Sequence, residues 1–139
     1  MKKLLFVIVC LTMTVTFANA QSNYKSITSV AQFEKLLDGS DDEDRLLVGD
    51  RGIVLDFTAT WCNPCKSFAP IFKSVASRFV GKVDFYTVDY DKNPEMVELF
   101  EVEVVPTLVF IPVCGDPTII KGAIQDADEF AEAVRDLTL

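Results

Sequence analysis

The sequence has no histidine and only four cysteines in 139 residues. Without histidine, a closed zinc site would need about four ligands drawn almost entirely from thiolates. Cys10 falls in the leading apolar segment, which leaves Cys62, Cys65 and Cys114. Three thiols do not complete such a site, and neither a metal nor any other bound cofactor is expected. They are also too few for the framework of paired cysteines that staples small secreted folds with little core. Basic charge is scarce as well: 13 Lys and Arg stand against 21 Asp and Glu, a net charge of −8. Such a surface disfavours nucleic acid and anionic lipid as partners. No apolar run reaches the roughly 20 residues of a membrane-spanning helix.

The leading apolar run, Leu4 to Phe17, has 14 residues. It follows Lys2 and Lys3 and precedes Ala18-Asn19-Ala20, a small-x-small pattern. Residues 1–20 are therefore expected to be a secretory signal peptide cut after Ala20, and the run is too short for an uncleaved anchor. Large Val9 before Cys10 argues against a lipid-modified cysteine. Residues 21–139 suffice for one domain with a hydrophobic core. Cleavage removes two lysines and no acid, leaving a net charge of −10. The mature domain is expected to be periplasmic or secreted, not embedded in a membrane, and monomeric.

Along that domain, Tyr24 to Ile27 reads as a short edge strand. "TSVAQFEKLL" reads as a helix capped by Thr28 or Ser29, with Val30, Phe33, Leu36 and Leu37 on one face and Gly39 as its stop. "GSDDEDR" is a solvated acidic loop. Ile53 to about Ala59 is a buried strand, and "CKSFAPIFKSVASRF" a helix with an expected kink near Pro70. "KVDFYTVDY" is the next strand. A short helix follows, with Asn93 as cap and Pro94 at its first position. Thr107 to Ile111 and Thr118 to Lys121 form two further strands about the "CGDP" turn. Gly122 ends the second, and Asp126 with Glu129 opens a last helix as a capping box, with Phe130, Val134 and Leu137 inward. The order β, α, β, α, β, α, β, β, α implies an α/β fold: a central mixed sheet with helices on both faces, parallel where helices join strands.

The stretch "ATWCNPCKSF" (residues 59–68) carries the chemistry. Its cysteine pair lies between a buried strand and a helix, so Cys62 falls at the helix N-terminus, where unpaired N–H groups and the helix dipole favour a thiolate. Cys65 comes about one turn later, close enough to close a small ring. One sulfur is placed to attack and the other to resolve. A purely structural disulfide is the competing reading. Closing a ring over two intervening residues removes little unfolded-state entropy, so it would be a weak staple. Asn63 and Pro64 lie inside the ring and can tune its redox balance. Trp61 is either core or a flat apolar contact for a partner.

"VLDFTATWCNPCKSFAPIF", "VDYDKNP", "VVPTLVFI" and Gly122 together resemble the thioredoxin family, in the right order over nearly all of residues 24–139. The resemblance implies a thioredoxin fold, with Cys62 as attacking and Cys65 as resolving cysteine. It further implies that Pro106 is a cis-proline facing the disulfide, and that Val105 pairs its backbone with an extended substrate strand. Trp61, Pro64 and Lys66 match the "WCxPCK" positions, Pro70 a helix-kinking proline, and Gly122 a glycine near the substrate groove. Asp56, which alone would read as a solvated strand residue, matches a buried aspartate that moves the proton of Cys65.

The chain departs from the family's usual pattern at Thr58, Asn63 and Thr87. At Thr87 a lysine often neighbours the buried aspartate. Its loss should make Asp56 harder to ionise, or leave a gap for water. Cys114, outside the motif, is expected to be a small buried apolar residue or a thiol that pairs between chains.

The expected activity is reduction of disulfides in exported proteins by a Cys62–Cys65 dithiol cycle, with an upstream redox partner recharging the pair. The same residues could run as an oxidase or isomerase, or the groove could bind peptides while its disulfide stays closed.

Overall fold

In the computed structural model, which describes residues 23–37 and 49–139, the elements follow the expected order. They are β1 (Tyr24–Ile27), α1 (Val30–Glu34), β2 (Gly52–Thr58), α2 (Asn63–Arg78), β3 (Val83–Asp89), α3 (Pro94–Leu99), β4 (Thr107–Ile111), β5 (Thr118–Lys121) and α4 (Ala127–Thr138). The expected signal segment, the helix stop at Gly39 and the acidic loop fall outside the described residues. Among the described residues, no helix is long and apolar enough to cross a membrane.

The strands form one sheet in the order β1-β3-β2-β4-β5. β1 and β2 lie parallel to β3, whereas β4 is antiparallel to β2 and β5 antiparallel to β4. The expectation that every helix-joined pair of strands is parallel therefore fails between β3 and β4. A six-residue helix is only about 9 Å long at 1.5 Å per residue, too short to carry the chain back along the sheet. β4 instead enters from the end where β3 finished and runs the other way. This reversal brings Pro106 to the carboxyl end of β2, because Thr107 stands opposite Phe57.

Alternate strand residues point to opposite faces, and the two faces have separate cores. Ile53, Leu55 and Phe57 of β2 pack with Val88, Val109 and Ile111 against Phe33 of α1 and Met96 of α3. Val54 lies on the other face with Phe85, Leu108 and Phe110, under Phe68 and Phe72 of α2 and Phe130 of α4. The Phe130 ring sits 5.2 Å from that of Phe68 and also meets Phe72, Phe85 and Phe110. Asp56, two residues beyond Val54, belongs to this α2/α4 face.

Local chemistry explains where the sequence reading of element ends shifts. Ser29, not Thr28, caps α1 by accepting from the Gln32 N–H. That helix stops at Glu34, because the Leu36 and Leu37 N–H groups turn to the carbonyls three residues back, Phe33 and Glu34. β2 starts one residue early, at Gly52, where an added Cβ would lie 2.6 Å from the Thr138 carbonyl oxygen. Glycine thus lets the end of α4 approach the start of the central strand. α2 runs from Asn63 to Arg78 with Pro70 inside it. Asp126 caps α4 through the Asp128 and Glu129 N–H groups, but the reciprocal arm of a capping box is not formed.

Asn93 sits at the start of α3 without capping it. Its side-chain amide instead donates to the Asp89 carbonyl at 2.9 Å, leaving the buried Oδ1 unpartnered.

Candidate active site

The carboxyl end of β2 delivers the chain directly into α2, and Cys62 is the residue that caps it. Its Sγ accepts from the Cys65 N–H at 3.2 Å, and its carbonyl accepts from the Lys66 N–H. Pro64 falls in the first turn, where a missing N–H leaves nothing unsatisfied. Cys62 and Cys65 are joined in a disulfide with their Cα atoms 5.3 Å apart. Both cysteines are buried. Asn63, Pro64 and Lys66 surround them on the exposed side. Any negative charge formed on Cys62 lies at the helix N-terminus, where the dipole and free N–H groups stabilise it.

Facing the pair is the Val105–Pro106 peptide, which is cis. Val105 packs on the cluster of Ala59, Cys62 and Cys65, and its carbonyl oxygen lies 3.7 Å from Cys62 Sγ. In the disulfide that sulfur has no proton to donate, so this is a contact. As a thiol it would face an acceptor. The loop is held in place by two bonds, Thr107 Oγ1 to the Val104 carbonyl at 2.7 Å and the Gly122 N–H to the Pro106 carbonyl at 2.8 Å. Gly122 has a φ of +100°, a left-handed conformation that glycine adopts readily. The structure thus brings Cys62, Cys65, Val105, Pro106 and Gly122 together at the carboxyl end of β2.

Asp56 lies inside, not in solvent as an isolated reading of its strand would have it. It is 3% exposed and its Oδ1 has no hydrogen-bond partner. Burial pushes its carboxyl up to about 7, because the charged form loses water without gaining a compensating partner. On its two flanks the register partners are Thr87 and Leu108. Neither supplies a cation.

Trp61 is not part of the core: 62% of the residue is accessible. The ring is nevertheless fixed, its Nε1–H donating to Asp91 Oδ2 at 2.8 Å. Asp91 and the adjacent Tyr90, which packs on the cysteine cluster, were not singled out from the sequence. Their signal was the "VDYDKNP" stretch, which reads first as a strand end and helix start. Cys114 is exposed in the turn between β4 and β5, so it is not a buried apolar residue.

A central strand that ends in a two-cysteine ring at a helix start, opposite a cis-proline, defines a thiol–disulfide oxidoreductase. The thioredoxin family model matches residues 40–136. The thioredoxin of Borreliella burgdorferi is 36% identical over 80% of this chain and 94% of that protein. The mitochondrial thioredoxin of Bos taurus is 32% identical over 90% of this chain and 74% of that protein. Among solved structures, the thioredoxin of Fasciola hepatica superposes with a TM-score of 0.65 at 30% identity, covering 82% of this chain and 99% of that one. The Malassezia sympodialis thioredoxin gives 0.66 at 27% identity, over 84% and 91%. The chain belongs to the thioredoxin family.

Proposed function

We propose that the protein reduces disulfides of exported proteins by cycling the Cys62–Cys65 pair between dithiol and disulfide. The observation that carries this reading is the placement of the pair at the start of α2, against Val105 and Pro106, with Asp56 buried on the face beneath α2.

In the reduced protein the Cys62 thiolate attacks one sulfur of a client disulfide. A Cys62–client S–S bond forms, the client S–S bond breaks, and the other client sulfur leaves as a thiolate. Cys65 then loses its proton and attacks Cys62 Sγ, forming Cys62–Cys65 and releasing the second client thiolate. The client gains two electrons, and with two protons becomes a dithiol. Asp56, titrating at about 7, is suited to take the Cys65 proton near neutral pH. The Val105 backbone pairs with an extended client segment, beside Pro106 and Gly122, while Trp61 offers a flat contact. Asn63, Pro64 and Lys66 set the redox balance of the ring. No cofactor takes part, and a separate redox protein returns the pair to the dithiol.

Export rests on the Lys2-Lys3, Leu4–Phe17, Ala18-Asn19-Ala20 pattern. It is tested by the mass of the protein recovered from its own cell, which should correspond to a chain starting at Gln21.

Exchange is tested by trapping. Cys65→Ser should accumulate Cys62–client mixed disulfides, and Cys62→Ala should reduce no model protein disulfide. If C65S traps nothing, the domain binds peptides without exchanging disulfides. If C62A reduces at the wild-type rate, the role of Cys62 is wrong.

A further inference from the structure

Trp61 is the sole tryptophan of the chain, and the geometry around it has a consequence for which clients are preferred. Its Cα lies about 3.8 Å from that of Cys62, as for any neighbouring residues, yet its ring stays in solvent. The ring is oriented by Asp91, whose Oδ2 accepts from Nε1. Asp91 is itself held by a turn, its N–H donating to Asp89 Oδ1 at 3.1 Å. Lys92, the basic residue next to it in sequence, directs its ammonium 3.8 Å from Asp89 Oδ2. Among the described residues Asp91 forms no ion pair. An exposed indole and a carboxylate that forms no ion pair therefore stand together at the residue that precedes Cys62.

We propose that Trp61 and Asp91 form a subsite for a cationic side chain, Lys or Arg, flanking the client cysteine. The inference rests on the reductase reading and names the class of client it favours. A cation over an indole face is attracted by the ring quadrupole, and the Asp91 carboxylate at the ring edge adds a Coulomb attraction. With a client cysteine at Cys62, residues on either side lie one strand step of about 3.4 Å away, and a Lys or Arg stem spans the remaining distance to the ring. The net charge of −10 on residues 21–139 draws the same clients toward the molecule. It does so without regard to where they land, so the test must separate the subsite from the general field.

The experiment uses two peptide disulfides that are identical except for Lys or Gln on both sides of the cysteine. In a single turnover, the reduced protein is expected to reduce the Lys peptide with an about fivefold larger second-order rate constant at about 20 mM salt, equivalent to about 1 kcal/mol. Asp91→Asn keeps a carbonyl acceptor for the Trp61 N–H and removes only the charge. In D91N the ratio should drop below about twofold, and in the wild type it should fall similarly at about 1 M salt, where screening acts within about 3 Å. A ratio of one in the wild type overturns the subsite. So does a fivefold ratio that survives in D91N, which would assign the preference to overall charge.

A binding measurement stands apart from turnover. The same peptides with Ser in place of cysteine are titrated into the oxidised protein and read by Trp61 fluorescence. Half-saturation should come at about fivefold lower concentration for the Lys peptide, and equal values overturn the subsite. If neither disulfide peptide is reduced, the reductase reading falls alone, and the fluorescence decides the subsite.

Discussion

Replacing Asp56 by Asn removes a buried carboxyl whose ionisation the fold resists, and the size of the effect follows from its surroundings. The group titrates at about 7 in the folded protein against 3.8 for an unperturbed aspartate, through burial. Between those values the unfolded chain has released the proton and the folded one still holds it. Stability therefore falls as pH rises through this window and levels off above 7. A gap of about three pKa units at about 1.36 kcal/mol each amounts to about 4 kcal/mol. The amide introduced by D56N does not titrate. It would meet the same lack of partners that leaves Asp56 Oδ1 unbonded, a desolvation cost of about 1–3 kcal/mol, but that cost is the same at every pH.

The diagnostic is thus the slope and not the absolute difference. Other titrating groups, such as Glu103 and Asp126 with their lowered values, are present in both proteins and cancel. Guanidinium unfolding of oxidised wild type and D56N, followed by circular dichroism at pH 4 and pH 8, should show the variant gaining about 4 kcal/mol on the wild type between the two. A difference that is the same at both pH values would refute the reasoning.

Three further outcomes follow from the packing and the caps. Thr87→Lys places an ammonium beside Asp56 in register and should flatten the fall of stability between pH 4 and 8, measured in the same way. Gly52→Ala drives a Cβ to within 2.7 Å of the Thr138 side chain as well as against its carbonyl, and should cost about 1–3 kcal/mol in denaturant unfolding. Asp126→Ala removes the acceptor of two N–H groups at the start of α4 and should lower the melting temperature at pH 7. Because the Asp126 carboxyl is held below its usual value by those bonds, its contribution is present above the unfolded value. It is lost as pH falls through the folded one, so the two proteins should converge in strong acid.

Much of the fold was legible because periodicity speaks for buried faces. The run Ile53–Phe57 and the Phe68, Phe72, Val75 spacing declared a strand and a helix that bury apolar residues. The placement of Cys62 and Cys65 at the helix start followed from that junction alone. The direction of β4 was not legible, since it depends on whether α3 is long enough to recross the sheet, a tertiary condition that local pattern does not carry. The burial of Asp56 came from resemblance and not from the strand itself, because a carboxyl in a run of apolar residues says nothing about what lies over it. The exposure of Trp61 and its bond to Asp91 could not be read either, as the partners are 30 residues apart and meet only when the β3–α3 turn docks beside α2. Asn93 had the composition of a cap, but the Asp89 carbonyl competed for its side chain.

The most direct measurement is the equilibrium reduction potential of the Cys62–Cys65 pair in the chain from Gln21 onward, with Cys114 replaced by Ser. A protein that reduces client disulfides should give a value near about −270 mV, as thioredoxin does. A value near about −120 mV, that of a strong disulfide donor, would contradict the proposed direction of electron flow. A pair that does not equilibrate with a thiol buffer at all would contradict exchange itself.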